Sequence, residues 1–237
     1  MQNPNYVSSQ SKAKEVDAGL KKYLSNIYTK MTAGVLVTAI VSMLVGSSPM
    51  LLNLFLGGPQ KYLVIFAPLA IIWFGFRPES MSPKQLMAAF FGLAVVYGIS
   101  FASIAAVALG NPMFAVAVAK SFFITTAMFA GLSIYGYTTK RDLGPMQSFI
   151  VMGIWGIVGA SVLNIFFQND MMSNVIAGVG IVLFAGLTAW QTQAMKEMYS
   201  PNASKDALER IGWAAALNLY ISFVAMFQYI LHFMSQR

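Results

Sequence analysis

The chain contains no cysteine and one histidine, His232. The lack of cysteine excludes disulfide bonds, thiol catalysis and cysteine-ligated metals, and one histidine cannot form a histidine cluster. Charged residues are also scarce: they make up 10% of the 237 residues, whereas soluble domains carry about 25%. Because 57% of the residues are hydrophobic, the composition predicts an integral membrane protein.

The sequence also lacks the motifs of an intramembrane enzyme. It contains no His-Glu-x-x-His zinc motif, no Gly-x-Ser-x-Gly nucleophile turn and no acidic pair inside an apolar run. A retinal protein is expected to carry a Schiff-base lysine within its seventh helix. The last apolar run of this chain has no lysine beyond its first edge. We therefore predict that the protein is not an enzyme, with no catalytic residue, no metal site and no cofactor.

The net charge of +7 would suggest a nucleic-acid partner if lysine and arginine clustered on one folded face. Instead the basic residues lie in short segments between apolar runs. Twelve of the fifteen fall on one set of alternate segments, two fall on the opposite set, and Lys120 lies within an apolar run. The positive-inside rule explains this bias. It predicts a lipid bilayer as the surroundings, a cytoplasmic amino terminus and no nucleic-acid partner.

A membrane-spanning helix needs about 20 mostly apolar residues. Apolar runs of nearly this length recur along the chain. The predicted spans are residues 28–47, 59–76, 84–109, 113–137, 146–167, 173–197 and 208–234. We predict an all-α integral membrane fold, a bundle of seven transmembrane helices in residues 27–237 that forms one domain. Residues 1–26 are predicted to be a polar cytoplasmic tail. The tail has no signal-peptide layout, so the first helix is expected to direct insertion.

Three sequence fragments resemble the Bax-inhibitor-type family, also called the transmembrane Bax inhibitor motif family. The fragments are Gly136–Leu143 after helix four, Phe184–Ala189 in helix six and Leu219–Phe223 in helix seven. The first contains the family signature loop, which consists of Thr139, Lys140, Arg141 and Asp142. The resemblance implies a bundle in which six helices surround the seventh.

The resemblance also implies two functions. Some members are pH-sensitive calcium leak channels gated by two aspartates, in helices six and seven, and the bacterial YccA-type branch modulates the membrane protease FtsH. Here Gln191 and Ser222 stand at the two aspartate positions. Adjacent carboxylates can share a proton and bind calcium, whereas these neutral side chains do not titrate near neutral pH. YccA-type members also carry Gln and Ser, so the resemblance favours an FtsH regulator of the bacterial inner membrane over a calcium leak.

Polar residues inside the predicted spans are candidate site residues. Asn218 lies four residues before Ser222 on the same helix face, so we predict that both join Gln191 in a buried polar cluster. The alternative is a purely structural set of interhelical hydrogen bonds. The predicted membrane edges place Ser222 deeper than Gln191, so the two become level only if helix seven begins outside the bilayer.

Lys120 is a charged residue within a predicted span, about 12 Å from Pro112 along the helix. Charged groups deep in a membrane are costly and often functional. Its long stem can instead extend to the outer surface. The sequence leaves open whether Lys120 lies on an ion or substrate path or only reaches the membrane surface.

Overall fold

The computed structural model describes the backbone of residues 4–236 and the side chains of residues 16–236. Within that range the regular structure is helical throughout, as predicted. The helices are α1 (Pro4–Gly46), α2 (Pro49–Leu56), α3 (Gln60–Ala70), α4 (Pro83–Ser100), α5 (Ala102–Gly110), α6 (Pro112–Thr138), α7 (Gly144–Phe167), α8 (Asp170–Glu197) and α9 (Lys205–Ser235). A π-helical turn, Ile71–Gly75, extends α3.

Five of these helices, α1 and α6 to α9, are long and apolar enough to cross a membrane within the described residues. Two bent pairs bring the number to seven if each pair forms one span: α2 with the extended α3 is bent by 73°, and α4 with α5 by 42°. The predicted integral membrane bundle is confirmed, with five to seven candidate spans. The cytoplasmic position of the amino terminus stays a prediction.

Two irregular points of the backbone, Pro68 inside α3 and the bend between α4 and α5, make local contacts that the hydropathy pattern does not reveal. Pro68 lies inside α3 and has no N–H group, so the carbonyl of Val64 loses its usual helical donor. The Ser100 hydroxyl of α4 donates to that carbonyl over 3.3 Å. In the third span the backbone breaks at Phe101, whose carbonyl accepts a 3.0 Å hydrogen bond from Ser42. Hydroxyls of neighbouring helices thus satisfy carbonyls at both irregular points, as a lipid environment requires.

Helix α9 is the centre of the bundle. It packs against α1, α4, α6 and α8, and its Leu219, Tyr220 and Met226 are fully buried. Helix α7 packs on α8, and α3 packs on α4, at the periphery. The family resemblance implied six helices around the seventh. In the described part of the chain, four helices pack on α9, and the remaining elements pack mainly on these four.

Helix α1 begins much earlier than predicted. Its 43 residues start at Pro4, so residues 4–26 of the predicted tail continue the first span as one helix. Tyr23, Leu24 and Ile27 are buried in the same core cluster as Trp213 of α9. The helix extends beyond the predicted first span, residues 28–47, because hydropathy measures lipid-facing residues and misses a polar helix that packs on a neighbouring helix. That residues 1–26 form a cytoplasmic tail stays a prediction.

Candidate functional site: the polar contacts of the central helix

Gln191 and Ser222 meet in the interior of the bundle. The Ser222 hydroxyl donates to the Gln191 Oε1 over 3.0 Å, and both side chains are buried. Ser222 lies about 26 Å from the start of α9, whereas Gln191 lies about 9 Å from the end of α8. Since the two side chains touch, the amino-terminal end of α9 extends about 17 Å beyond the carboxyl-terminal end of α8. This extension places Gln191 and Ser222 at the same depth in the bundle.

The structure does not bring Asn218 to this pair. Its side chain is exposed, so the predicted three-residue cluster is wrong and the contact consists of Gln191 and Ser222. Four residues advance a helix by slightly more than one turn, which offsets Asn218 from Ser222 by about 40° around α9. That offset removes Asn218 from the face that contacts α8.

The signature loop is held by a side chain of α8. The Gln193 amide donates to the Arg141 carbonyl over 2.8 Å, and its oxygen accepts from the Leu143 N–H over 2.8 Å. Within the loop, Asp142 Oδ1 accepts from the Gly144 N–H at the start of α7. Gln193 lies 50 residues after Leu143, and nothing in the sequence pairs it with the loop.

The remaining signature side chains shape the loop or face outward. Thr139 Oγ1 accepts from the Arg141 N–H over 3.2 Å. The side chains of Lys140, Arg141 and Asp142 are exposed. Backbone groups and Gln193 thus fix the loop, and its two cationic side chains are left exposed.

Gly136 permits the close approach of α6 and α8 beneath this loop. A Cβ at this position would collide with the backbone carbonyl oxygen of Ala189. The neighbouring Lys196 donates to the Tyr137 carbonyl over 3.3 Å. Two of the three family fragments, in α6 and α8, are therefore in direct contact.

An ion pair links α1 to α9 near the start of α9. The Lys30 ammonium lies 2.5 Å from the Glu209 carboxylate and 4.5 Å from the ring centroid of Trp213. Asn26 donates to the other Glu209 oxygen over 3.1 Å. Lys30 is only 9% exposed, whereas Glu209 is 42% exposed. The sequence showed Lys30 only as one of the basic residues that set the orientation and did not predict this contact.

Hydroxyl groups tie α1 to other helices. The Thr38 and Tyr220 hydroxyls lie 2.7 Å apart, and Thr38 Oγ1 is 3.0 Å from the Ala94 carbonyl oxygen of α4. On the other side, the Tyr28 and Thr192 hydroxyls lie 3.1 Å apart and join α1 to α8. These contacts anchor α1 to the centre of the bundle at several depths.

Lys120 is exposed on α6. Among the side chains of residues 16–236 there is one salt bridge, between Lys30 and Glu209. Lys120 therefore has no acidic partner among them. Its position fits a stem that extends to the membrane surface. Whether Lys120 also has a role in function stays a prediction.

The arrangement around Gln191 and Ser222 offers neutral oxygens for hydrogen bonding. No acidic residue occurs between Asp170 and Glu197, or after Glu209. Among the described side chains, no group of three His, Asp or Glu residues could hold a metal ion. Amide and hydroxyl groups accept and donate hydrogen bonds but do not change charge near neutral pH.

A helical bundle with five to seven candidate spans and a hydrogen-bonded central helix defines a multipass membrane protein. A family model described as "Inhibitor of apoptosis-promoting Bax1" matches residues 20–237. The chain belongs to the Bax inhibitor family. The membership predicted from three short fragments is therefore confirmed.

Bacterial relatives match nearly the whole chain. An uncharacterized protein of Rickettsia prowazekii is 31% identical over 98% of this chain and 96% of its own. An uncharacterized protein of Caulobacter vibrioides is 34% identical over 92% and 90%. The inner membrane protein YbhL of Escherichia coli (strain K12) is 31% identical over 93% and 94%. The prediction of a multipass protein of the bacterial inner membrane is confirmed.

Proposed function

We propose that this protein is a non-enzymatic regulator of membrane-protein turnover, which acts on the membrane protease FtsH as its resemblance to the YccA-type branch implies. The observation that carries the proposal is the hydrogen bond from Ser222 to Gln191. It occupies the place where a pH-gated calcium leak needs two carboxylates. A neutral pair holds α8 against α9 without a charge that responds to pH.

Two further features support a regulatory role. Helix α1 has 43 residues and is therefore about 65 Å long, whereas the hydrocarbon core is about 30 Å thick. Its amino-terminal part thus extends well beyond the bilayer as a continuation of a span. The exposed Lys140 and Arg141 lie at the end of α6 and, under the predicted orientation, on the same side. Together they offer a protease both a helix and a cationic loop.

Co-purification from native bacterial membranes tests the proposal. The full chain, a chain lacking residues 1–15, and the K140Q/R141Q variant carry the same affinity tag and are isolated with their bound proteins. We expect FtsH with the full chain and less of it with at least one variant. We also expect the half-life of an FtsH membrane substrate to change when the full chain is removed from the cell. Absence of FtsH from all three samples, with an unchanged half-life, would overturn the proposal.

The alternative function is a calcium or other cation leak, which the family resemblance also implies. In this chain neither Gln191 nor Ser222 can serve as a titratable gate for such a leak. Calcium flux into liposomes that contain the purified chain distinguishes the two functions. A pH-dependent flux that requires Ser222 would favour the leak.

A further inference from the structure

A cavity of about 510 Å³ opens at the side of the bundle between α1 and α6, with α5 and α9 as its other walls. The rim residues Met43 of α1 and Phe123 of α6 are exposed. The floor is formed by Phe223 and Val224 of α9, which are buried. The cavity therefore reaches from the outer surface of the bundle to its central helix.

Small side chains leave this space open. Five alanines line the walls: Ala39, Ala105, Ala108, Ala115 and Ala119. Protein interiors are normally close-packed, so a run of alanines around one cavity leaves room for another apolar group. The lining also contains the hydroxyls of Thr38 and Ser42, but both are engaged, with Tyr220 and with the Phe101 carbonyl. The cavity offers an apolar surface for a ligand without polar groups.

The dimensions of the cavity match one leaflet of a bilayer. Its lining runs from Val35 to Met43 on α1 and from Ala115 to Phe123 on α6, about 12 Å along each helix. One leaflet contributes about 15 Å of the hydrocarbon core. Both runs lie in the half of the bundle that contains the α5–α6 connection. The cavity is thus a slot along the membrane normal, in the direction in which an acyl chain lies.

The cationic side chain of Lys120 lies beside the opening of the cavity. Lys120 directly follows Ala119 and precedes Phe123 by one turn, and both neighbours line the cavity. Lys120 is exposed, and no acidic side chain pairs with it among the described residues. A lysine stem can lie along apolar surface while its ammonium reaches the headgroup region, where phospholipids carry their phosphate.

We propose that this cavity binds one acyl chain of a phospholipid from that leaflet, with the lipid phosphate beside the Lys120 ammonium. A lipid of the surrounding annulus touches only outward-facing side chains. A lipid seated in the cavity also touches Phe223 and Val224 of the central helix. This difference in contacts makes the site measurable.

Photocrosslinking tests the proposal on the full chain in liposomes of phosphatidylethanolamine and phosphatidylglycerol. The probe is phosphatidylglycerol with a diazirine near the end of one acyl chain, and mass spectrometry locates the crosslinked residues. We expect crosslinks on residues 223–227 of α9. A119W fills the cavity and is expected to reduce these crosslinks several-fold. A130W, which changes an exposed alanine of the same helix outside the cavity, is the matched control and is expected to retain them.

The result in the unchanged chain does not depend on how the variants fold, and A39W places the same bulk on the opposite wall. Crosslinks confined to outward-facing residues, or equal α9 labelling in A119W and A130W, would overturn the acyl-chain site. K120Q is expected to lower the amount of phosphatidylglycerol that stays bound in native mass spectrometry. Unchanged retention in K120Q would overturn the assignment of the phosphate.

Discussion

Removal of the Glu209 carboxylate is expected to destabilise the contact between α1 and α9. In E209A the Lys30 ammonium keeps its place beside Trp213 but loses its counter-ion while it is only 9% exposed. Breaking a fully buried ion pair costs about 3–5 kcal/mol. Glu209 is 42% exposed, and solvent screening reduces the value of such a pair. We expect a loss of about 1–2 kcal/mol in the free energy of unfolding.

A double-mutant cycle isolates this interaction. E209A, K30M and K30M/E209A are unfolded by titration with dodecyl sulfate in mixed micelles, and helicity is followed by circular dichroism. K30M removes the charge that E209A leaves without a partner, so the double variant is expected to lose less stability than the sum of the two single variants. Strictly additive losses would refute the reasoning, because they would mean that the two side chains do not interact in the folded protein.

Three other substitutions test the contacts of α6, α8 and α9. S222A is expected to cost about 1 kcal/mol, because it removes one interhelical hydrogen bond and leaves the Gln191 oxygen without its donor; the same unfolding titration measures the cost, and an unchanged midpoint contradicts it. G136V is expected to cost at least about 2 kcal/mol by collision with the Ala189 carbonyl, with full stability as the contrary result. Q193A is expected to free the signature loop, seen as faster hydrogen exchange at the Leu143 amide, and equal exchange rates would refute that role.

The sequence predicted the helical fold well because lipid imposes a simple requirement. An uninterrupted apolar run of spanning length must be helical, since its backbone has no other hydrogen-bond partner. The predicted span at residues 113–137 thus agrees closely with α6 (Pro112–Thr138). The third predicted span, residues 84–109, covers both α4 and α5, but its bend at Phe101 was not visible. A bend depends on neighbouring helices, and hydropathy carries no information about them.

Helix α2 shows a second feature that a hydropathy and length criterion does not predict. Its residues, Pro49–Leu56, are apolar but too few to span a membrane, so the length criterion passed over them. Gly57, Gly58 and Pro59 then separate α2 from α3. The structure places the two helices in one bent pair, an arrangement that depends on packing beyond the reach of a length count.

The candidate site was predictable where the family resemblance supplied positions. Gln191 and Ser222 came from that resemblance, and the structure brings them together. Asn218 came from helical periodicity alone, which does not distinguish a buried position from an exposed one. The contact between Lys30 and Glu209 joins residues 179 positions apart. No local pattern encodes such a pair, so only the packing of α1 on α9 reveals it.

We propose that the neutral pair of Gln191 and Ser222 leaves this protein without a proton-controlled calcium gate. The most direct test measures calcium flux into liposomes that contain the purified chain, at pH values on either side of neutrality. We expect the chain to add no pH-dependent flux over empty liposomes, and we expect S222A to behave like the unchanged chain. A calcium flux that changes with pH in the unchanged chain and disappears in S222A would contradict it.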